Sequence, residues 1–544
     1  MKKTNLITVF LAFLLAGCDI SFGFGSSSTS NSNSTSRPIS ISDVSTNISE
    51  DTSLSTSNSI SNSSQEEIRK MNIYGINDFH GAVLENYENQ EPGIVKLGSY
   101  LIDKKKEGNT LLINSGDMWQ GAIESNYNYG NLLTDCMNMI GFDCFTLGNH
   151  EFDWGEQYIR ANRERSYNGY QTPFLAANIY NYDINTKETK DFANLGSQYT
   201  ITTLNNGLRV GIIGVIGENQ ITSICSQFAD DFTFVNPTSI IKSLSDELRN
   251  EQNVDVVILD CHTDQETIGT DVTTISNVTN KRYVDAVFCA HTHQDETQII
   301  NGVPYLQTNG YGKLISTVEL EISINGDVSC TNYENISAYS ATSTSYNEKL
   351  DELVQTYKVQ SDAVGNEVLG NLSGSLYSSS SLPNFVSRAM AYACDEQGFN
   401  ISYAITNSGR ANLESGNITY ANLYRSLPFD NEIYIIKVSG SVLKKELEMN
   451  SISFYRKDVN ALSTNKQYTI AVIDYLAFHR NVSRDYNYFP NLEIVGKLTK
   501  TGSSMYNYRD ITADFIRQNS GTLNYRDYLD TVDRHNPGML TSSI

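Results

Sequence analysis

After about residue 69 the chain is organised by short, uninterrupted apolar runs, each closing in a polar segment. Asn72–Ile76, Thr110–Ile113, Phe174–Ala177, Leu208–Val215, Val254–Leu259, Val284–Cys289 and Val303–Gln307 read as strands. They are apolar throughout rather than alternating, which suits a sheet covered on both faces. Stretches with helical spacing, such as Tyr129–Met139 and Ser239–Arg249, fall between them. Residues 69–338 therefore predict a layered α/β domain. The Glu- and Lys-rich stretch Tyr346–Gln360 predicts a helix, within a candidate connector at 339–365. The runs Ile401–Ile405, Ile433–Val438 and Tyr468–Ile473 predict a second α/β domain over 366–544. A chain of 544 residues needs more than one core, because single cores stop growing near roughly 250–300 residues.

The first residues follow a different pattern. Lys2 and Lys3 precede the apolar run Leu6–Leu15, which is too short to span a membrane. The run ends in Leu15-Ala16-Gly17-Cys18, which resembles a bacterial lipobox. The expectation is an export signal over 1–18, lipid on Cys18, and a chain anchored to the membrane at the outer cell surface. Residues 19–68 are dominated by Ser, Thr and Asn and bury too little to fold, so they predict a tether.

A formal net charge of −23 argues against a nucleic-acid polymer as partner, since that needs a basic stripe. A small anionic ligand is compatible with it wherever cations are concentrated locally. Besides Cys18 the cysteines are Cys136, Cys144, Cys225, Cys261, Cys289, Cys330 and Cys394, scattered and without a CxxC pair. That excludes a thiolate zinc site and a disulfide framework, and leaves buried small hydrophobes.

Candidate chemistry sits where the runs end. The chain has 7 histidines, and five of them fall at the ends of these runs, within a set of five short polar segments. These are Asn77-Asp78-Phe79-His80-Gly81, Gly116-Asp117, Gly148-Asn149-His150-Glu151-Phe152-Asp153, Asp260-Cys261-His262 and His291-Thr292-His293. In an extended chain i and i+2 point the same way, so Asp78 and His80 are expected to face one ion from a single strand end. The carboxyl ends of strands in an open α/β sheet face one crevice, so all five segments can converge. Mixed imidazole, carboxylate and amide donors suit Zn²⁺, Mn²⁺, Fe²⁺ or Co²⁺. A carboxylate shared by two ions about 3.5–4 Å apart is the two-metal hydrolase arrangement, with Asp117 as the natural bridge. Alternation along the strands turns Cys261 and Cys289 to a packed face.

These motifs resemble the calcineurin-like metallophosphoesterases, and their order and spacing look like the 5′-nucleotidase group. The resemblance implies a four-layered α/β-β-α domain followed by a smaller α/β C-terminal domain. It implies two divalent ions, one held by Asp78, His80, Asp117 and His293, the other by Asp117, Asn149, His262 and His291. His150 with Asp153 would then be the catalytic dyad. Metal-bound hydroxide would attack phosphorus while Asn149 and His150 stabilise the oxygens, releasing nucleoside and phosphate.

The second domain looks similar through Asn407-Ser408-Gly409-Arg410 and Pro428-Phe429. By that resemblance Asn407 and Arg410 bind the substrate, with Arg410 on the phosphate. Phe429 and Tyr486 stack on the base, and the domain rotates about the 339–365 connector. The pattern also departs from the family. The Asn407–Arg410 loop is two residues short, Gly374–Ser381 carries no arginine, and Phe478-His479-Arg480-Asn481 replaces a glycine-rich turn. Arg388, Arg425 and Arg480 are candidates to compensate. The departures keep three alternatives open: a 2′,3′-cyclic nucleotide phosphodiesterase, a UDP-sugar hydrolase, and a surface protein that binds without turnover.

Overall fold

The apolar runs become strands whose two faces enter different cores. The computed structural model describes residues 68–448, 453–455, 462–481, 486–503, 505–519 and 521–529. One six-stranded sheet runs in the order Val328–Ser337, Leu314–Ile322, Arg69–Ile76, Thr110–Asn114, Cys144–Thr146, Phe174–Leu175. Its last four strands are parallel and the first two join antiparallel. A second runs Glu296–Ile300, Val303–Gln307, Ala286–Phe288, Val256–His262, Arg209–Ile216, Tyr199–Thr203, with antiparallel strands at both edges.

Alternation within the all-apolar strands builds the layers. Leu111 and Ile113 of the first sheet meet Ile212, Val256, Ile258 and Phe288 of the second in a buried core between the sheets. Leu112 points the other way, toward helices Gly93–Lys106, Asn131–Ile140 and Glu348–Gly365. Ile213, Val257, Leu259 and Cys261 face helix Pro237–Asn250. The result is helices, sheet, sheet, helices: the expected four-layered α/β-β-α arrangement. Helix Pro237–Asn250 starts where Pro237 follows Asn236, whose side chain accepts from the Thr238 N–H, a cap worth about 1 kcal/mol.

The differences from expectation have local causes. Helix Asn131–Ile140 begins two residues late because Gly130 is left-handed, and it ends at left-handed Gly141. The strand expected to end at Leu259 continues to His262. The antiparallel strands Leu314–Ile322 and Val328–Ser337 and the three-stranded antiparallel sheet of Glu188–Phe192, Ile179–Asp183 and Phe232–Phe234 were not anticipated.

The C-terminal region packs a five-stranded sheet, order Ser453–Tyr455, Tyr403–Thr406, Gln467–Ile473, Ile433–Ser439, Glu493–Lys497, against helices Ser381–Glu396 and Tyr508–Gln518. Helix Glu348–Gly365, the expected connector, buries Leu350 and Val354 in the first region's core. Its Tyr357 hydroxyl donates to Asp135 (2.6 Å). This helix packs on the first region along most of its length, and Gly365 at its end lies against Ala421 of the C-terminal region.

Candidate metal centre

All five polar segments meet at the ends of the two sheets. Asp78 and His80 follow strand Arg69–Ile76, Asp117 follows Thr110–Asn114, and Asn149 follows Cys144–Thr146. His262 closes Val256–His262, and His291 and His293 follow Ala286–Phe288. The extended backbone expected at Asp78 and His80 is not what brings them together. Both are left-handed (φ 48°), as are Asp117 (52°), His291 (77°) and His293 (54°). Non-glycine residues held this way cost about 1–3 kcal/mol each and persist only where the surroundings over-determine them.

The ligand-capable atoms of Asp78, His80 and His293 lie within 4.8 Å of one another, as do those of Asp117, His262 and His291. In the first cluster His80 Nε2 is 3.0 Å from His293 Nε2, and His293 Nε2 is 3.3 Å from Asp78 Oδ1. In the second, Asn149 Oδ1 is 2.9 Å from His291 Nδ1 and 3.2 Å from His262 Nε2. Asp117 Oδ2 faces both, 3.3 Å from His262 Nε2 and 3.8 Å from His80 Nε2. Donor pairs about 3.3 Å apart are the edges of a tetrahedron with bonds of about 2.0–2.1 Å, the length of zinc–nitrogen bonds.

The surroundings fix each ring. His262 Nδ1 donates to the Ser115 carbonyl (2.8 Å) and His80 Nδ1 to the Gln120 carbonyl (3.2 Å), which aims each Nε2 inward. Glu151 accepts three main-chain N–H groups, from Asp117 (2.9 Å), Met118 (2.9 Å) and Gly148 (2.8 Å), and so ties two of the loops together. A Cβ on Gly148 would lie 2.3 Å from Asp117 Oδ1, so no side chain fits there. Burial alone would lower the His262 ring, but Asp117 and Asp78 outweigh it and push it up to about 10. Burial, with charged His262 beside it, lowers His291 to about 4. His150 Nδ1 pairs with Asp153 Oδ2 at 2.8 Å. Burial opposes charge on that ring too, yet Asp153 and Asp117 raise it above the ordinary histidine value.

Two side chains from the C-terminal region reach this centre. Arg410 Nη2 donates to His80 Nε2 at 2.6 Å. Phe429 stacks on His150, ring centroids 5.6 Å apart and planes 27° apart. Asn407 is half-buried just after strand Tyr403–Thr406. Tyr486 lies in the short strand Tyr486–Asn487, and its side chain is outside the described residues, as are the Arg480 side chain and Cys18. Arg425 pairs with Glu91 (3.4 Å), and the buried Arg388 guanidinium lies 5.2 Å from the Tyr528 ring centroid.

Comparison with known proteins assigns both regions. A calcineurin-like phosphoesterase model matches residues 71–295, and a 5′-nucleotidase C-terminal domain model matches 366–461, together more than half of the chain. The chain belongs to the 5′-nucleotidase family of metallophosphoesterases. It is a family of phosphoric ester hydrolases that use divalent metals. Among curated relatives, Endonuclease YhcR of Bacillus subtilis is 24% identical over 69% of this chain, which spans 32% of that protein's length. A 5′-nucleotidase of Vibrio parahaemolyticus is 22% identical over 68% of this chain and 73% of that one. The crystal structure of a 5′-nucleotidase precursor from Thermus thermophilus shares the fold, with a TM-score of 0.67 and 17% identity, over 84% of this chain and 97% of that one.

Whether the residues fit the metals of a 5′-nucleotidase-family enzyme is answered at Asp78. Its Oδ2 accepts from Asn77 Nδ2 (2.6 Å) and from the His291 N–H (2.9 Å). Its Oδ1 is buried and makes no hydrogen bond. A buried acceptor left unmade costs about 1–3 kcal/mol, and a cation beside His80 and His293 removes that cost. Sequence reasoning missed the supporting residues of this family site, Asn77, Glu151 and Tyr311. The ring of Tyr311 lies 5.5 Å from His80 and 5.7 Å from His293. Glu151 carried a signal, a carboxylate inside a ligand motif with no metal role assigned. Tyr311 carried a weaker one, an aromatic between Gly310 and Gly312 just after a strand.

Proposed function

We propose that this protein hydrolyses nucleotide phosphate monoesters at a two-metal centre, releasing nucleoside and phosphate outside the cell. The observation that carries the reading is the position of Asp117 Oδ2 between two donor clusters, with Arg410 and Phe429 brought to the same place. Asp78, His80, Asp117 and His293 would hold one divalent ion, and Asp117, Asn149, His262 and His291 the other. Bound there, the ions polarise the phosphoryl oxygens and activate water for attack.

The remaining work belongs to the chain. Arg410 presents a planar fork of donors that matches a phosphate oxygen pair better than an ammonium does. His150, whose charged form Asp153 favours, would stabilise the negative charge that grows on the phosphoryl group. Phe429 offers an aromatic face for the base, worth about 1–3 kcal/mol and tolerant of base identity. The acidic surface, with a net charge of −23, suits a small substrate held by a local cluster of cations rather than a long anionic polymer. Among the described residues no helix is long and apolar enough to cross a membrane. The Leu15-Ala16-Gly17-Cys18 pattern supports lipid on Cys18 as the attachment, and palmitate labelling that survives Cys18→Ala would disprove it.

Among the described residues, Arg410 is the guanidinium that hydrogen-bonds a member of either cluster. One phosphate-binding arginine is also compatible with a cyclic diester or a nucleotide sugar, so the test is a substrate panel. Purified protein with Mn²⁺ or Zn²⁺ is expected to release phosphate fastest from nucleoside 5′-monophosphates. Faster turnover of 2′,3′-cyclic nucleotides or UDP-sugars would replace this reading. Nucleotide binding without any turnover would make the protein a surface binder.

A further inference from the structure

The turn that carries Phe429 is gripped from beneath by one buried guanidinium. Arg509, at the start of helix Tyr508–Gln518, is only 3% exposed. Its Nη1 shares its two hydrogens among three successive main-chain carbonyls, those of Leu427 (3.0 Å), Pro428 (3.1 Å) and Phe429 (3.1 Å). Its Nη2 pairs with Asp430 Oδ1 at 2.5 Å, and its Nε donates to the Tyr420 hydroxyl at 3.3 Å. The guanidinium lies over the Tyr424 ring, 3.6 Å from its centroid. Asn507 Nδ2 also donates to Asp430 Oδ1 (3.1 Å), and the Tyr508 N–H donates to the Asn431 carbonyl (2.8 Å).

Three consecutive carbonyls aimed at one nitrogen fit neither a strand nor a helix. They curl the chain around the guanidinium, which leaves the Phe429 ring free to stack on His150. Asn126 of the first region holds the same turn from outside, donating to the Pro428 carbonyl at 3.1 Å. A lysine could not replace this grip. Its ammonium is a compact point charge with three donors, whereas the guanidinium spreads five over a rigid plane.

We propose that Arg509 is a positioning residue: it fixes the 427–430 turn so that Phe429 faces the metal centre, and thereby sets the enzyme's preference for substrates that carry a base. The proposal rests on the reading of Phe429 as the base-stacking residue. Arg509, buried and bonded to the turn, would act through Phe429 rather than as a ligand of the substrate.

The test compares adenosine 5′-monophosphate with ribose 5-phosphate, which differ only in the base. Full-length protein with Mn²⁺ is assayed as wild type, Arg509→Lys, Asp430→Asn and Phe429→Ala. Arg509→Lys and Asp430→Asn are expected to lower the ratio of kcat/KM for the two esters about fivefold or more, through the nucleotide's KM, the scale of a lost base stack. Calorimetric binding of adenosine to chelator-treated protein should weaken by a similar factor. In a Phe429→Ala background, Arg509→Lys should change the ratio no further. Equal losses on both esters, with the ratio kept, would make Arg509 a fold-stabilising residue and overturn the proposal. A ratio lowered by Phe429→Ala but kept by Arg509→Lys and Asp430→Asn would also overturn it, alone. A ratio kept by Phe429→Ala would overturn the base-stacking reading and this proposal together. If Arg509→Lys does not fold, Asp430→Asn, which loosens the same grip from its other end, decides.

Discussion

Arg410 reaches from the C-terminal region to within 2.6 Å of His80 Nε2, so a residue of the metal centre and a candidate phosphate ligand meet across two parts of the fold. A guanidinium is always a donor, and His80 Nδ1 already donates to Gln120, so Nε2 carries the lone pair. An anion that binds the metals would meet the Arg410 fork at the same place. Arg410→Ala should lower kcat/KM for a nucleoside monophosphate about 10–100-fold, the scale of a charge-assisted hydrogen bond worth about 1.5–3 kcal/mol. Steady-state kinetics checks this; an unchanged kcat/KM would remove Arg410 from the phosphate site.

Glu151 is a support rather than a ligand. Its carboxylate gathers the N–H groups of Asp117, Met118 and Gly148, and an amide offers one acceptor oxygen where the carboxylate offers two. Glu151→Gln should weaken divalent metal binding about 10–100-fold, as losing such a supporting partner commonly does. Isothermal titration with Mn²⁺ or Zn²⁺ reads the change directly. Wild-type affinity in the variant would mean that the two loops hold their shape without it.

Asp474 predicts a pH dependence away from the metals. It is buried, accepts from the Tyr475 N–H (2.8 Å) and from Gln227 Nε2 (3.2 Å), and lies near Glu432, itself paired with Lys497. Burial is the main cause that raises its carboxyl to about 7. The folded protein therefore holds this proton more tightly than the unfolded chain, whose carboxyl titrates near 4. Stability from this group is fullest below about pH 4 and is lost as pH rises through 7. Asp474→Asn should thus raise the melting temperature at pH 8.5 by about 2–4 °C and change it little at pH 4.5. Thermal unfolding at the two pH values decides; equal effects at both would show that the charge is not the cause.

The candidate metal centre was legible because metal chemistry demands particular residue types at strand ends. Asp78, His80, Asp117, Asn149, His262, His291 and His293 all converge, and His150 and Asp153 pair as expected. What could not be read was the backbone that aims them. No local pattern announces a left-handed Asp or His, and the extended geometry expected at Asp78 and His80 is absent. The all-apolar strands were visible because both faces are covered. Leu314–Ile322 alternates between buried and more exposed positions, and its signal was too weak to register. Glu151 escaped because it bonds to main-chain atoms, which have no sequence identity until the chain folds, and Arg509 because its partners, three main-chain carbonyls among them, lie about 80–90 residues away in sequence.

Counting bound ions while measuring turnover decides whether the two clusters form a two-metal hydrolase centre. Metal-stripped protein titrated with Mn²⁺ or Zn²⁺, with bound metal measured by elemental analysis, should take up two ions per chain. Phosphate release from a nucleoside monophosphate should appear with the ions, vanish with chelator, and be lost in Asp117→Ala together with metal binding. A stoichiometry of one or none, or phosphate release that persists in chelator or in Asp117→Ala, would rule out two-metal hydrolysis at this site.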